Sequence, residues 1–112
     1  MESTCFLKIL VISLIFTSCK NEDTKNSVSD SYEKGKTIYE STCISCHNID
    51  PQIDGVLAPR ITDINYNLIE SMIMTGKLPV GVAQKWPGAK MAPLPYLEKN
   101  IPDLYEYLKT FK

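Results

Sequence analysis

Cys43-Ile44-Ser45-Cys46-His47 follows directly on Gly35-Lys36-Thr37-Ile38-Tyr39-Glu40-Ser41-Thr42 and gathers two of the four cysteines and the only histidine of a 112-residue chain into five positions. With so few thiols and a single imidazole available, a chance occurrence of this order is about one in a thousand. Two sulfur donors beside a ring nitrogen can grip a metal ion, cycle between dithiol and disulfide, or hold a covalently attached cofactor. The rest of the chain decides among these.

Composition excludes some function classes. With 44% hydrophobic and 22% charged residues the chain is an ordinary globular sequence of one domain. Its net charge of -1, with lysines dispersed along the chain, offers no basic patch for nucleic acid. The first residues differ in kind. Ile9 to Phe16, ILVISLIF, is an apolar run after a single lysine. It is short of the roughly 20 residues that span a bilayer, so it reads as the apolar region of a signal peptide. The run ends in Ser18-Cys19, which resembles a bacterial lipobox and implies that Cys19 is lipidated and becomes the mature N-terminus; a plain secretory signal cleaved nearby is the alternative. More than one acyl chain, at about 0.8 kcal/mol per buried methylene, gives stable anchoring. Lys20 to Ser31 holds one apolar residue, Val28, and reads as a flexible linker. The expected organisation is a lipoprotein signal peptide at 1–18, the lipidated cysteine and linker at 19–31, and a folded domain at 32–112. Cys5 then leaves with the signal and Cys19 takes the lipid, so only Cys43 and Cys46 remain in the domain. The expected location is the cell envelope, facing the periplasm or the cell surface.

The domain is small enough that its own core contributes only a few kcal/mol, so a staple or a cofactor is expected to complete it. Periodicity predicts three helices and no strand pair. In the first, Ser31 is the N-cap, and Tyr32, Tyr39, Cys43 and Cys46 recur on one face. The second runs from about Asn65 to Thr75, capped by Asp63 or Asn65, with Leu68, Ile69, Met72 and Ile73 as its apolar face and Gly76 as its stop. In the third, Asn100 caps with Asp103 as the return partner, Pro102 falls in the first turn, and Ile101, Leu104, Tyr105 and Leu108 line one face. Between the last two, Lys77 to Pro95 carries four prolines and two interior glycines. A long loop in so small a domain needs something to wrap around.

The three chemistries of the motif make different demands. Zinc calls for four ligands, and one chain has no second histidine and no further cysteine in the domain to complete them. A dithiol of the thioredoxin kind calls for its CxxC at the start of a helix after a strand, where the helix dipole lowers the thiol pKa, whereas this motif follows a helical stretch. Haem attachment calls for what is present: two thiols at this spacing for the two vinyl groups of one porphyrin edge, and an adjacent imidazole for the iron.

With CISCH, the first-helix Gly35 and Tyr39, and the closing Leu104 to Leu108, the region from Tyr32 to Lys112 resembles the class I c-type cytochromes, the small monohaem kind. The resemblance implies an all-α domain of three main helices packed around one haem c held covalently by Cys43 and Cys46. It also implies crossing terminal helices that meet at Gly35, for which the Tyr107 face is the expected partner. His47 is then the proximal ligand. With no second histidine, methionine is the natural soft partner on the opposite side. Lys90-Met91-Ala92-Pro93 resembles the family's distal loop and makes Met91 the candidate; the alternative is that Met91 only packs and that Met74 or water meets the iron. Pro59 matches the family's proline whose carbonyl accepts the N–H of the proximal histidine. Arg60 and Trp86 either meet haem propionates or are an exposed arginine and a packed tryptophan. The function implied is one-electron transfer between a donor and an acceptor protein at a membrane, without enzyme activity and without a small-molecule substrate. A haem-based gas or redox sensor, or an accessory haem domain of a larger oxidoreductase complex, is the second reading.

Overall fold

The computed structural model describes residues 23–112, and the signal segment and Cys19 lie outside the described residues. The architecture is all-α, with no strand among the described residues. The elements are α1 (Asp23–Ile38), which runs on into a π-helical turn over Tyr39–Cys43, then α2 (Tyr66–Thr75), a 3-10 turn (Pro95–Asn100) and α3 (Ile101–Leu108).

Helix α1 starts earlier than the sequence suggests. Asp23 to Ser31 was expected as linker, yet it is helical. Residues 27–30 are nevertheless exposed, and Val28 keeps 53% of its surface. Composition therefore marks where packing begins, at Ser31 and Tyr32, and not where the helix begins. Local pairing supports the helix here: Lys34 bridges Asp30 one turn back at 2.6 Å. Ser31 is not an N-cap; its hydroxyl donates to an Asp103 carboxylate oxygen of α3 at 2.5 Å. That bond also accounts for the start of α3, where Asn100 makes no side-chain cap bond and Asp103 does not close the expected box.

Helix α2 follows the sequence closely. Asn65 caps it by accepting the Leu68 N–H at 2.9 Å, and Gly76 ends it at φ 67°, donating its N–H to Met72 at 2.9 Å. Ile69 and Ile73 are buried, with Leu68 and Met72 half-buried beside them. The Lys77–Pro95 segment holds no long helix, and its last residue opens the 3-10 turn, which buries Leu97. On α3 the buried set is Ile101, Leu104, Tyr107 and Leu108; Tyr105 is only half-buried and meets the Tyr66 ring edge-on at 5.6 Å.

The core sits where α1 crosses α3 and α2 closes against them, with Tyr39, Ile69, Ile73, Leu97, Ile101, Leu104, Tyr107 and Leu108 as its buried members. The crossing point is Gly35, but its partner is the backbone of Asp103 and Leu104, not the Tyr107 face. A Cβ on Gly35 would lie 1.9 Å from the Asp103 carbonyl oxygen. Tyr107, one turn further on, sets its ring between Tyr32, which it meets edge-on at 5.3 Å, and Tyr39, tilted against it at 5.6 Å. Side chains of ordinary size fill the space on either side of a contact made backbone to backbone.

Gly35→Ala must push the two helices apart. We expect a loss of about 2–3 kcal/mol, read as a fall of roughly 10–20 °C in melting temperature, while Glu33→Ala on the exposed side of α1 stays within about 0.5 kcal/mol.

Candidate functional site

The π-helical turn widens the end of α1 and breaks the helical register on which both thiols would share one face. Cys43 closes this turn half-buried, and Cys46 lies exposed in the turn that follows. The Cys43 carbonyl accepts two N–H groups, from Cys46 at 3.2 Å and His47 at 2.9 Å, and so draws the five-residue motif into a tight coil. Burial, and then the neighbouring Cys46, pushes the Cys43 thiol up to about 11. This is opposite to the lowered pKa that dithiol exchange requires.

His47 is half-buried, and its Nδ1 lies 3.0 Å from the Pro59 carbonyl oxygen. Nδ1 therefore carries the proton, and Nε2 keeps its lone pair for a metal. Burial lowers the imidazole pKa, opposed by the Pro59 bond, so the neutral ring is favoured. Pro59 is placed by a short loop whose closure the sequence reading missed. Gly55 donates to Ala58 at 2.9 Å, Leu57 to the Cys46 carbonyl at 3.2 Å, and the Arg60 N–H to the Asp54 carboxylate at 2.8 Å. Gly55 lies directly on the motif, where a Cβ would come within 2.3 Å of the Cys46 carbonyl oxygen and 2.7 Å of the His47 Cα. Its signal in the sequence is slight, a lone glycine after an aspartate.

Two further contacts fix the motif. Tyr39, fully buried, donates its hydroxyl to the Asn48 carbonyl at 2.6 Å, immediately after His47. Burial raises the pKa of this phenol and keeps it a donor. Pro51, also buried, accepts the Ile61 N–H at 2.7 Å.

Met91 is half-buried and packs against the core, as does Met74. Its place is set by α2. Gly76 adopts the left-handed conformation that lets the Met91 backbone pass over it, since a Cβ there would lie 2.3 Å from the Met91 carbonyl oxygen. Leu94 then donates to the last-turn carbonyl of Ile73 at 2.7 Å. Arg60 is exposed and Trp86 half-buried; the Arg60 carbonyl accepts from the Lys85 ammonium at 3.2 Å, which ties the loop after Pro59 to the loop before Met91.

Two free thiols and a neutral imidazole with Nε2 available, in the order Cys-x-x-Cys-His, are a donor set that fits covalent haem attachment. These features define a c-type cytochrome. The family model described as Cytochrome c matches residues 32–112, and the chain belongs to that family. It is also similar to "Cytochrome c-551" of Bacillus subtilis (strain 168), at 28% identity over 63% of this chain and 75% of the relative. No solved structure matches. Family membership makes the protein a haem-based electron-transfer protein rather than an enzyme, with covalently bound haem c and redox proteins as partners. Among the described residues no helix is long and apolar enough to cross a membrane.

Gly76→Ala sets a Cβ against the Met91 backbone and strains the left-handed residue. Destabilisation of about 1–3 kcal/mol is expected, together with faster peroxide conversion of Met91 to its sulfoxide, mapped by mass spectrometry against the wild-type rate.

Proposed function

We propose that this protein is a class I monohaem cytochrome c that carries one electron at a time between a donor and an acceptor protein, with His47 and Met91 as axial ligands and lipid on Cys19 holding it at a membrane. The observation that carries the reading is the His47–Pro59 bond: it commits Nδ1, orients the ring and leaves Nε2 free beside two thiols.

When bound, the haem supplies an iron that alternates between ferrous and ferric states. Cys43 and Cys46 would hold it by thioether links, His47 on one side and Met91 on the other. The Pro59 carbonyl raises the basicity of the imidazole and fixes its plane. Met91 would contribute a soft thioether, of the kind that favours the ferrous state and raises the potential. With both ligand positions held by chain residues, no site would remain for a substrate, and little rearrangement would accompany the electron.

The domain at 32–112 is in this reading tethered by residues 19–31 after removal of a signal at 1–18, which puts it in the cell envelope facing the periplasm or cell surface. Asp23 to Ser31 being helical shortens the reach of that tether, since a helix rises about 1.5 Å per residue.

Met91→Ala tests the ligand assignment. The oxidised protein should lose its weak sulfur-to-iron band near the red end, its midpoint potential should fall, and the reduced protein should begin to bind carbon monoxide. A spectrum and potential equal to wild type remove Met91 from the scheme. Cys19→Ser tests the anchor: the haem protein should move from the membrane to the soluble fraction, and unchanged partition would remove the lipid.

A further inference from the structure

Tyr39 is the most deeply buried side chain of the core, and it carries a hydroxyl. Packing alone would be met by a phenyl ring. The hydroxyl donates to the Asn48 carbonyl at 2.6 Å, in the peptide unit that joins Asn48 to Ile49, one residue past His47. Three sets of contacts grip His47. Its own N–H is held by Cys43, its ring by Pro59, and its exit from the motif by Tyr39. The first two are local to the attachment loop. The third reaches across from the helix crossing, because the Tyr39 ring lies 5.6 Å from Tyr107, and Tyr107 in turn lies 5.1 Å from Phe111.

We propose that the Tyr39 hydroxyl is a positioning group for His47: it bonds the Asn48–Ile49 peptide, one residue past the histidine, to the core where α1 crosses α3, and so couples the packing of the terminal helices to the orientation of the imidazole. This rests on the reading of His47 as an axial ligand. Tyr39 begins the π-helical turn that ends at Cys43, so its phenol spans the whole motif, from before the first thiol to after the histidine. Freed of that bond, the Asn48–Ile49 peptide is no longer tied to the core, so the chain leaving His47 can shift and carry the His47 Cα with it. The ring then pivots about its Nδ1 bond to Pro59. A change in the ring plane alters how the imidazole overlaps with the iron, which is read in spectra and in potential even where the fold survives.

The test uses holoprotein. Tyr39→Phe keeps the ring and removes the hydroxyl; Tyr107→Phe removes a hydroxyl from the same aromatic stack with no bond to the motif. The paramagnetic shifts of the haem methyl protons in the oxidised state report the imidazole plane, and the midpoint potential reports its donor strength. We expect the methyl shifts to redistribute and the potential to move in Tyr39→Phe, with both at wild-type values in Tyr107→Phe. Wild-type shifts and potential in Tyr39→Phe, whatever its melting temperature, overturn the proposal, as do equal changes in both variants, which would make the effect one of packing. Should Tyr39→Phe fail to mature, the wild-type protein carries the test. A Tyr39 hydroxyl proton that exchanges slowly with solvent and shows a close contact to the Asn48 backbone supports the bond, and a freely exchanging proton overturns it. Failure of the underlying reading is separately visible, because wild-type protein would then lack the spectroscopic signature of a ligated histidine.

Discussion

In the proposed reading His47 serves a metal through one nitrogen, and an imidazole so used must be held through the other. Here the holder is a single backbone carbonyl, that of Pro59, 3.0 Å from Nδ1 of His47. A proline suits the role because its fixed φ reduces the freedom of the chain that presents the carbonyl. The segment between His47 and Pro59 is arranged to bring that carbonyl into place. Cys46 accepts from Leu57, Asp54 accepts from the Arg60 N–H, and Gly55 lies flat against the motif. An Asn48–Asp50 and Asp50–Gln52 pair of side-chain turns carries the chain around the outside at 3.0 and 2.9 Å. The loop leaves Ile49, Ile53, Val56 and Leu57 exposed, because it is organised from its backbone and not from a core of its own.

The sequence made the chemistry legible and left much of its support unread. CISCH has one reading that the rest of the chain can satisfy, and it demands residues of fixed type at fixed spacing. Gly76 and an Asn65 or Asp63 cap were accessible through local rules about backbone conformation, whereas Pro59 was accessible only through the resemblance, since its partner His47 lies 12 positions away. Gly55, the Tyr39 hydroxyl and the Ser31–Asp103 bond were not. Each acts on a partner that only the tertiary fold brings near, Ser31 and Asp103 being 72 positions apart. For the same reason Ser31 was mistaken for a cap: a serine before an apolar periodic stretch has the local look of one, and nothing local says that its hydroxyl is engaged elsewhere. The early start of α1 escaped notice because polar composition reports the absence of burial, while backbone hydrogen bonds and an i,i+4 ion pair can sustain helix without it.

In the proposed reading His47 and Met91 stand on two sides of one site, which are held by different means, and the difference bears on electron transfer. On the His47 side several short bonds converge within one loop. On the Met91 side the chain is laid over the end of α2, with the Met91 carbonyl against Gly76 and Leu94 bonded to Ile73. The Met91 segment thus inherits the rigidity of a helix terminus. It does so although Lys77 to Pro95 contains little regular structure and exposes Val80 and Val82. Helix α2 is itself fixed by burying Ile69 and Ile73 against the same core that Tyr39 and Leu104 occupy. Both sides therefore refer to one packed centre.

A carrier benefits from that common reference. Electron exchange is impeded by any rearrangement that must accompany the change of charge, so the groups around the redox centre should keep one geometry in both states. Rigidity cannot come from the bulk of so small a domain, whose fully buried members are few. It comes instead from contacts that tolerate almost no displacement, backbone against backbone at Gly35, Gly55 and Gly76, where an added methyl would overlap its neighbour. A side-chain contact can be relieved by changing rotamer, but a backbone contact can be relieved only by moving the element. Three such contacts fix the helix crossing, the histidine loop and the methionine segment, one each.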